Sequence, residues 1–594
     1  MHPFLPILLQ LSIFTIPILS SPIPPPLLHQ NATDPPPPPQ YHFEVTQPLP
    51  TTSLSPSCTL ALISHNFSYT YDQPPVTIPY SPPENCTWSN ATIEFSVSYK
   101  GTQHARIASI WLAGAELLRT STAKPTENGV FWKTTKDITK YNSLLIQENI
   151  TVSVMLENRV DSVFTGVYVV NVTFIYYDSN DINEPLHPLK KMGRKFLENN
   201  DIALNTLTND ELTSFSSSSG DLYAKPADLI IPISGFEEEG YWFRLESESD
   251  KRSERVAIPK NTYKAVLEMY VSFHGNDEFW YKNPANSLNA KYGNGAYREV
   301  IVTIDGNFVG SAVPFPVIYT GGINPLFWDP VVGIGAFDLP TYDIDFTPFL
   351  SFLIDGDFHR IGVSVEGAIS YWLVDANLHL WLDPFSEEVQ AGYFENKAPS
   401  FEFEKSAESK GLDAEFEVEM ERKREFSGWV NSSFGNFTTY VKHELEFENE
   451  IEITKNGNEE KIEQKVKEQI EVKVLSDTGN TISESKLEKE FPLKIKTSSV
   501  AIAESGGYNV SSSLDNSYEE KIKNSNGSST LKNRQQASGW MVVVDGAYEV
   551  VDGEASTNQS YSYKGNSVCY SRVIGASNGT ILSDSTNFLC MSSH

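Results

Sequence analysis

The sequence predicts an all-β protein: two tandem antiparallel jelly-roll-like sandwiches plus a C-terminal β-rich domain. Three observations carry that expectation. Short runs such as Ile150-Thr-Val-Ser-Val154 and Val300-Ile-Val-Thr-Ile304 are rich in β-branched residues and bounded by Gly, Pro, Asn and Asp, the pattern of strands closed by turns. Helical periodicity is sparse, with residues 188–214 the best candidate for a few turns. An internal repeat organises the first two thirds of the chain.

The repeat consists of four matches in the same order. Arg106-x-x-x-Ile110-x-Leu112-x-Gly114 returns as Arg298-x-x-x-Val302-x-Ile304-x-Gly306, and Phe131-Trp132 as Phe327-Trp328. Asp137-Ile-Thr-Lys-Tyr141 matches Asp345-Phe-Thr-Pro-Phe349, and Val152-x-Val154-x-Leu156-Glu157 matches Ile361-x-Val363-x-Val365-Glu366. Lengthening loops between corresponding strands account for an offset that grows along the chain. Most matched Val, Ile and Leu are expected to be packing.

Taken in order, residues 1–21 read as a signal peptide: FLPILLQLSIFTIPILSS (4–21) is apolar and ends in small residues. Residues 22–56 are dense in Pro, including Pro35–Pro39, and predict a disordered, extended lead without a core. The first sandwich is expected over 57–185. A linker with a short helix follows over 186–221, closing on the serine run 216–219, and the second sandwich spans 222–395. Over 396–594, AEFEVEME (414–421), ELEFENEIEI (444–453) and EVKV (471–474) alternate charge with apolar residues. Period two with glutamates on one face predicts long antiparallel strands with a solvated side. Ile462, Val466 and Ile470 are four apart, as in a coiled coil, but no heptad is sustained.

Composition excludes several classes. The 594 residues carry 45 Lys+Arg against 76 Asp+Glu, a net charge of −31, so the chain repels a phosphate backbone and no nucleic-acid partner is expected. A hydrophobic content of 40% is enough for cores, so acidity does not mean disorder. After residue 21 no stretch is apolar enough to span a membrane. With four cysteines, no CxxC and no HExxH, a metal site is not expected. In an oxidising compartment those cysteines allow three pairings, and the preference for short loops favours Cys58–Cys86 and Cys569–Cys590. Twelve sequons predict N-glycosylation at Asn31, Asn66, Asn85, Asn90, Asn149, Asn171, Asn431, Asn436, Asn509, Asn526, Asn558 and Asn578. None falls within the second sandwich. GASNG (575–579) has the form G-x-S-x-G, but no helix-forming segment follows Ser577 and no motif places a partner His, so it is not a nucleophile elbow.

Chemistry concentrates in His274-Gly-Asn276-Asp277-Glu278-Phe-Trp280-Tyr281, where acids, an amide, an imidazole and aromatic faces lie side by side. A sugar groove needs aromatics beside polar groups. A calcium-binding or merely solvated acidic loop is the alternative reading. DLIIPISG (228–235), EMYVSFHGNDEFWYKNP (268–284), GNGAYREVIVTIDG (293–306), VPFPVIYTGGINPLFWDPVVGIGAFDLPTYDIDFTPF (313–349), YWLVDANLHLWLD (371–383) and RIASIWLAGAELLRTST (106–122) resemble the peptide-N-glycosidase A family, secreted plant and fungal amidases. The resemblance, which runs from about 57 to 590, implies hydrolysis of the amide between asparagine and the first N-acetylglucosamine of N-glycopeptides. Aspartate and a glycosylamine are left, with no cofactor. It also implies tolerance of core-fucosylated plant glycans and a preference for acidic pH and peptide-sized substrates.

Amide hydrolysis needs a base for water, an acid for the leaving nitrogen and donors for the oxyanion. Without a His or Cys constellation, carboxylates tuned apart by their surroundings are the available acid and base. A more distant likeness to the bacterial peptide-N-glycosidase F, also two jelly rolls, implies roles. Its catalytic aspartate begins a strand W-D-R-Y-x-x-V-x-V, and the family here usually shows F-D-R-I. This chain has His104-Ala105-Arg106-Ile107: the aspartate is absent, and Arg106, which would contact the inner sugars, is kept. A second carboxylate falls on Glu157, and a third on Glu278 or Glu299. Substrate-binding candidates are Arg106, Trp111, His274, Asn276, Asp277, Trp280 and Trp328, the tryptophans as sugar platforms. Arg106 and Glu157 can equally be read as a cross-strand pair at the sandwich edge. A one-residue register slip would instead offer Glu116 or Asp137. Two functions stay open: a secreted glycoamidase, and a weakened or inactive relative that binds N-glycans. Either way, Arg106 and Glu278 are expected on one cleft between the sandwiches.

Overall fold

The protein is all-β, and alternating burial builds it from the strand upward. Strand Asn90–Tyr99 buries Ala91, Ile93, Phe95, Val97 and Tyr99, the period-two pattern of a strand with one face on a core. The computed structural model describes residues 39–124, 128–178, 225–235, 241–285, 293–394, 400–502, 507–525, 527–544, 550–566 and 568–590. In the first sandwich one sheet runs Val130–Asp137, Asn90–Tyr99, Tyr168–Tyr177, Cys58–Phe67. The opposing sheet runs Val76–Tyr80, Ile150–Leu156, Ile107–Leu112, Ala115–Ser121. In the second sandwich the sheets run Thr341–Asp345, Thr262–Phe273, Trp372–Leu382, Leu229–Ile233 and Arg252–Ala257, Phe358–Glu366, Glu299–Ile304, Asn307–Ala312. Both orders are the same, and both are that of a jelly roll.

Three of the four repeat matches fall on equivalent positions. Ala113-Gly114 and Asp305-Gly306 turn the same hairpin, with φ of 51° and 85° against 50° and 83°. Asp137 Oδ1 accepts the Thr139 amide at 2.7 Å, as Asp345 Oδ1 accepts that of Thr347 at 2.9 Å. Thr139 and Thr347 in turn take the amides of Ala91 and Ala265 on Oγ1, at 3.0 and 3.2 Å. Phe131-Trp132 and Phe327-Trp328 are not equivalent: the first pair lies in Val130–Asp137, whose counterpart is Thr341–Asp345, and the second in a 3-10 turn, Pro325–Trp328. Two adjacent aromatics carry no register of their own.

The charge-alternating region forms an eleven-stranded antiparallel sheet with strands of up to 22 residues, Thr481–Ile502. Glu415, Glu417 and Glu419 point to solvent, while Phe416, Val418 and Met420 join the core of the second sandwich. Polar pins fix the docking: Asn449 Nδ2 donates to Tyr281 O at 2.9 Å, Gln535 Nε2 to Val332 O at 3.1 Å and Thr557 Oγ1 to Phe327 O at 2.7 Å. At Gly428 a Cβ would lie 2.3 Å from the Pro348 carbonyl oxygen, so only glycine lets the sheet approach. Ile462, Val466 and Ile470 lie in strand Glu459–Ser476, not in a coiled coil. Ser577 ends strand Cys569–Ser577 before the hairpin turn Asn578-Gly579, which leaves no strand-turn-helix elbow.

The coreless lead expected over 22–56 needs correcting in its described part. Gln40–His42 pairs in parallel with Val130, Phe131 and Trp132, and Phe43 and Val45 are buried with Val331, Tyr561, Tyr570, Ile574 and Ala576. The Glu44 carboxylate accepts the amides of Gly335 and Phe337 at 2.7 and 2.8 Å. A proline-rich composition suppressed the strand signal, but two apolar side chains and one carboxylate suffice to dock the segment. Residues 1–38 and the helix proposed over 188–214 lie outside the described residues. Both disulfides, Cys58–Cys86 and Cys569–Cys590, are formed.

Candidate active site

Hairpin strand Ala115–Ser121 of the first sandwich faces Thr262–Phe273 and Trp372–Leu382 of the second across a buried polar seam. Arg119 chelates Glu116, Nε to Oε1 at 2.8 Å and Nη2 to Oε2 at 2.6 Å, and its Nη1 donates to Leu373 O at 2.5 Å and Ser272 Oγ at 3.2 Å. Trp111 Nε1 donates to Asp375 Oδ2 at 2.7 Å. Asn377 exchanges hydrogen bonds with the Glu116 backbone, 3.1 and 2.8 Å. Below them Glu268 accepts from Tyr141 at 2.7 Å and pairs with Lys140 and His379. Desolvated charges are tolerated only when paired and hydrogen-bonded, so this seam admits one orientation of the sandwiches.

The seam opens into a pocket lined by Ala105, Arg106, Ile107 and Glu157 from the first sandwich and by Trp242, His274, Glu278, Tyr319, Tyr371 and Leu373 from the second. Each functional side chain is set by its local backbone. Arg106 N–H donates to Thr122 Oγ1 at 2.9 Å and its Nη2 to Gln103 Oε1 at 3.3 Å, so the guanidinium is held across the strand start. Glu157 follows strand Ile150–Leu156, where Thr70 Oγ1 caps Leu156 O at 2.6 Å and Asn158 Nδ2 ties Phe67 O and Gly166 O, each at 3.0 Å. Glu278 sits on the turn after Thr262–Phe273, and burial lifts its carboxyl to about 7, with Lys282 pulling the other way.

Planar groups stack along one wall. The Arg244 guanidinium lies 3.8 Å over the Tyr371 ring, the His274 ring lies 5.0 Å from Tyr371 at 8°, and Tyr319 lies 6.4 Å beyond at 18°. His274, Tyr319 and Tyr371 of this stack line the pocket that also holds Glu157 and Glu278. Among the described residues no cluster of three or more His, Cys, Asp or Glu is arranged to hold a metal ion.

Arg106, Glu157, His274 and Glu278 therefore meet, and Ala105 lies with them. The other candidates do not line this pocket. Glu299 is buried, bound to Tyr297 Oη and Arg422 Nη2, each at 2.7 Å, facing the large sheet. Asp277 is fully buried: Oδ1 takes Arg298 Nη2 at 2.8 Å, and Oδ2 takes Trp372 Nε1 at 2.8 Å and the amides of Ile369 and Ser370 at 3.0 and 3.2 Å. It anchors the turn that carries Glu278, and so is neither a calcium ligand nor a sugar contact. Asn276 is exposed outside the pocket. Trp111, Trp280 and Trp328 are each 0% exposed and present no face to a sugar. Trp111 is packed beneath Trp242, Trp280 against Phe273 and Phe447, and Trp328 donates to Gly322 O at 2.8 Å. Glu116 is consumed by Arg119, and Asp137 caps Thr139 in another sheet, so neither replaces the carboxylate absent at 105.

The aromatic lining comes instead from Trp242, Tyr319 and Tyr371, which sequence reasoning missed. The signal was present in Tyr241-Trp242-Phe243, a run of aromatics between charged stretches, and in Tyr319-Thr-Gly-Gly, an aromatic beside a turn.

The family model described as peptide N-acetyl-beta-D-glucosaminyl asparaginase amidase A matches residues 44–399. Peptide-N4-(N-acetyl-beta-glucosaminyl)asparagine amidase A of Prunus dulcis is 38% identical over 562 residues, 92% of each chain. Among solved structures, peptide: N-glycanase F is similar at a TM-score of 0.33 and 11% identity, over 55% of this chain and 95% of its own. PNGF-II is similar at a TM-score of 0.32 and 13% identity, over 55% of this chain and 65% of its own. The extent of the match to the family model and to the almond enzyme makes this chain a member of the peptide-N-glycosidase A family of amidases.

Proposed function

We propose that the chain is a secreted peptide-N-glycosidase that hydrolyses the asparagine side-chain amide of N-glycopeptides and releases the glycan intact. The observation that carries this reading is the meeting of Arg106, Glu157 and Glu278 in one pocket at the seam. Water attacks the amide carbon with Glu157 as its base, the C–N bond breaks, and Glu278 gives its proton to the leaving nitrogen. Aspartate and a glycosylamine result. A carboxyl held at about 7 keeps that proton throughout the acid range. Arg106 binds the inner sugars, and Trp242 and Tyr371 supply apolar faces. Secretion is supported by the apolar segment 4–21, the sequons and two disulfides.

One observation favours a second reading, a glycan-binding protein with weakened catalysis: Ala105 presents a methyl group to the pocket. A fluorescent N-glycopeptide at about pH 5, in the range of tuned carboxylates, separates the two. Release of glycan with loss of activity in Glu278→Gln supports the amidase; binding without release supports the second reading.

A further inference from the structure

We infer that His274 donates a hydrogen bond from Nδ1 to the substrate's amide oxygen, and that Ser272 and Arg119 are positioning residues that choose this nitrogen. The inference rests on the amidase reading and adds a donor to it.

The relay starts in the seam. Arg119, held by Glu116, donates Nη1–H to Ser272 Oγ at 3.2 Å, and Ser272 Oγ lies 2.9 Å from His274 Nε2. Ser272 is fully buried and has one proton to place. If Nε2 carried the ring proton, Ser272 would receive two donors and its own O–H would be left without an acceptor, a costly state for a buried hydroxyl. Donation from Ser272 to Nε2 satisfies every group, which leaves the proton of the neutral ring on Nδ1. No hydrogen bond within the described residues occupies Nδ1, and the residue lines the pocket.

The ring is held in place as firmly as its tautomer. Its backbone is extended, φ −145°, and its N–H donates to Tyr371 O at 3.1 Å. Gly275 follows at φ 60°, where a Cβ would lie 2.4 Å from Ser370 Oγ, so the turn stays close against 370–371. Tyr371 stacks on the ring at 5.0 Å, and Tyr319 lies near-parallel to it at 6.4 Å. Burial, with Arg119 and Arg244 nearby, pushes the imidazole down to about 3. It therefore stays neutral through the working range and does not compete for the proton of Glu278. A donor already in position where oxyanion charge develops needs no reorganisation during reaction.

The test compares His274→Ala, His274→Asn and Ser272→Ala in glycopeptide hydrolysis, in the natural chain and with Ala105→Asp added. Removing one such donor typically costs about 100- to 1000-fold in kcat. That loss is expected for His274→Ala with KM changed less than about threefold, and His274→Asn, which keeps an amide donor, is expected to recover at least about tenfold of it. Ser272→Ala is expected to lose about tenfold in kcat by freeing the tautomer. Unchanged kcat in His274→Ala overturns the inference and leaves the amidase reading intact. If neither the natural chain nor Ala105→Asp releases glycan, the amidase reading fails and nitrogen-15 histidine NMR decides the rest. A resonance lost in His274→Ala that reports Nδ1–H, does not titrate between about pH 5 and 8 and shifts with added glycopeptide upholds the donor. An Nε2–H or titrating ring, or no shift, overturns it.

Discussion

Ala105→Asp adds a third carboxyl group to the pocket that holds Glu157 and Glu278, and its effect can be worked from the surroundings. Position 105 faces Arg106, Glu157 and Glu278, and Arg244 closes the wall above Tyr371. Below about pH 7 Glu278 is protonated, so the new group meets two guanidinium charges and one carboxylate. Any opposite unit charge within about 5 Å is worth about 3 kcal/mol at an effective dielectric of about 20; an excess of guanidinium charge around the new carboxylate keeps it ionised and able to accept a proton from water. A positioned base contributes about 100- to 10,000-fold, or about 3–5 kcal/mol of barrier. The substitution enters a pocket and not a packed core, so stability should change by less than about 1 kcal/mol. The assay is release of labelled glycan from an N-glycopeptide with kcat and KM determined separately. A rise in kcat of at least about 100-fold with KM little changed is expected. If the natural chain already turns over well on Glu157 and the substitution adds nothing, a carboxylate at position 105 takes no part in activating the water.

Asp277→Asn should lower stability by about 3–5 kcal/mol, because it strands the buried Arg298 charge; a urea midpoint equal to that of the natural protein would show that Asp277 is not the anchor of the Glu278 turn. Glu44 is pushed up from 4.5 to about 8 by burial, against the pull of the Phe337 and Gly335 amides. The folded state thus binds this proton more tightly than the unfolded chain, so the group's contribution is most favourable below about 4.5 and is lost as pH rises to about 8. Glu44→Gln should flatten the stability curve across that window whatever its constant offset, and parallel curves would contradict the assignment. Mass-spectrometric mapping should find glycans only outside the second sandwich. Asn66, Asn85, Asn149, Asn171, Asn431, Asn436, Asn509, Asn558 and Asn578 are exposed, whereas Asn294 and Asn324 lack the acceptor residue.

The fold was legible where a local pattern determines a backbone. Alternation marks a strand whatever it packs on, and Asp-x-Thr marks the same capped turn in both copies because the side chains bond within three residues. The site was legible where a resemblance fixed a position on a strand motif, as at Arg106 and Glu157; their charge alone would equally have suited a cross-strand pair. It was illegible where burial decides the role. Asp277 and Glu278 are neighbours in sequence, yet one is enclosed by donors and the other opens to the pocket. The tryptophans failed for the same reason: a large aromatic fills a core as readily as it stacks on a sugar, and only tertiary packing separates Trp242 from Trp111.

Duplication explains how the pocket is divided between the sandwiches. Arg106 and Arg298 occupy matching positions at the head of equivalent strands, Ile107–Leu112 and Glu299–Ile304. In the first copy the arginine lines the pocket. In the second it is 0% exposed and bonded to Asp277, so it builds the turn that presents Glu278. The carboxylates at the ends of the neighbouring strands diverge likewise: Glu157 lines the pocket, while Glu366 stands opposite Glu299 in the ladder and points to solvent. One copy therefore presents its strand-end charges to the pocket, and the other uses its arginine to anchor the turn that carries Glu278. The Arg119 seam joins the two, so the distance between Glu157 and Glu278 is set by packing across the sandwiches rather than within either one.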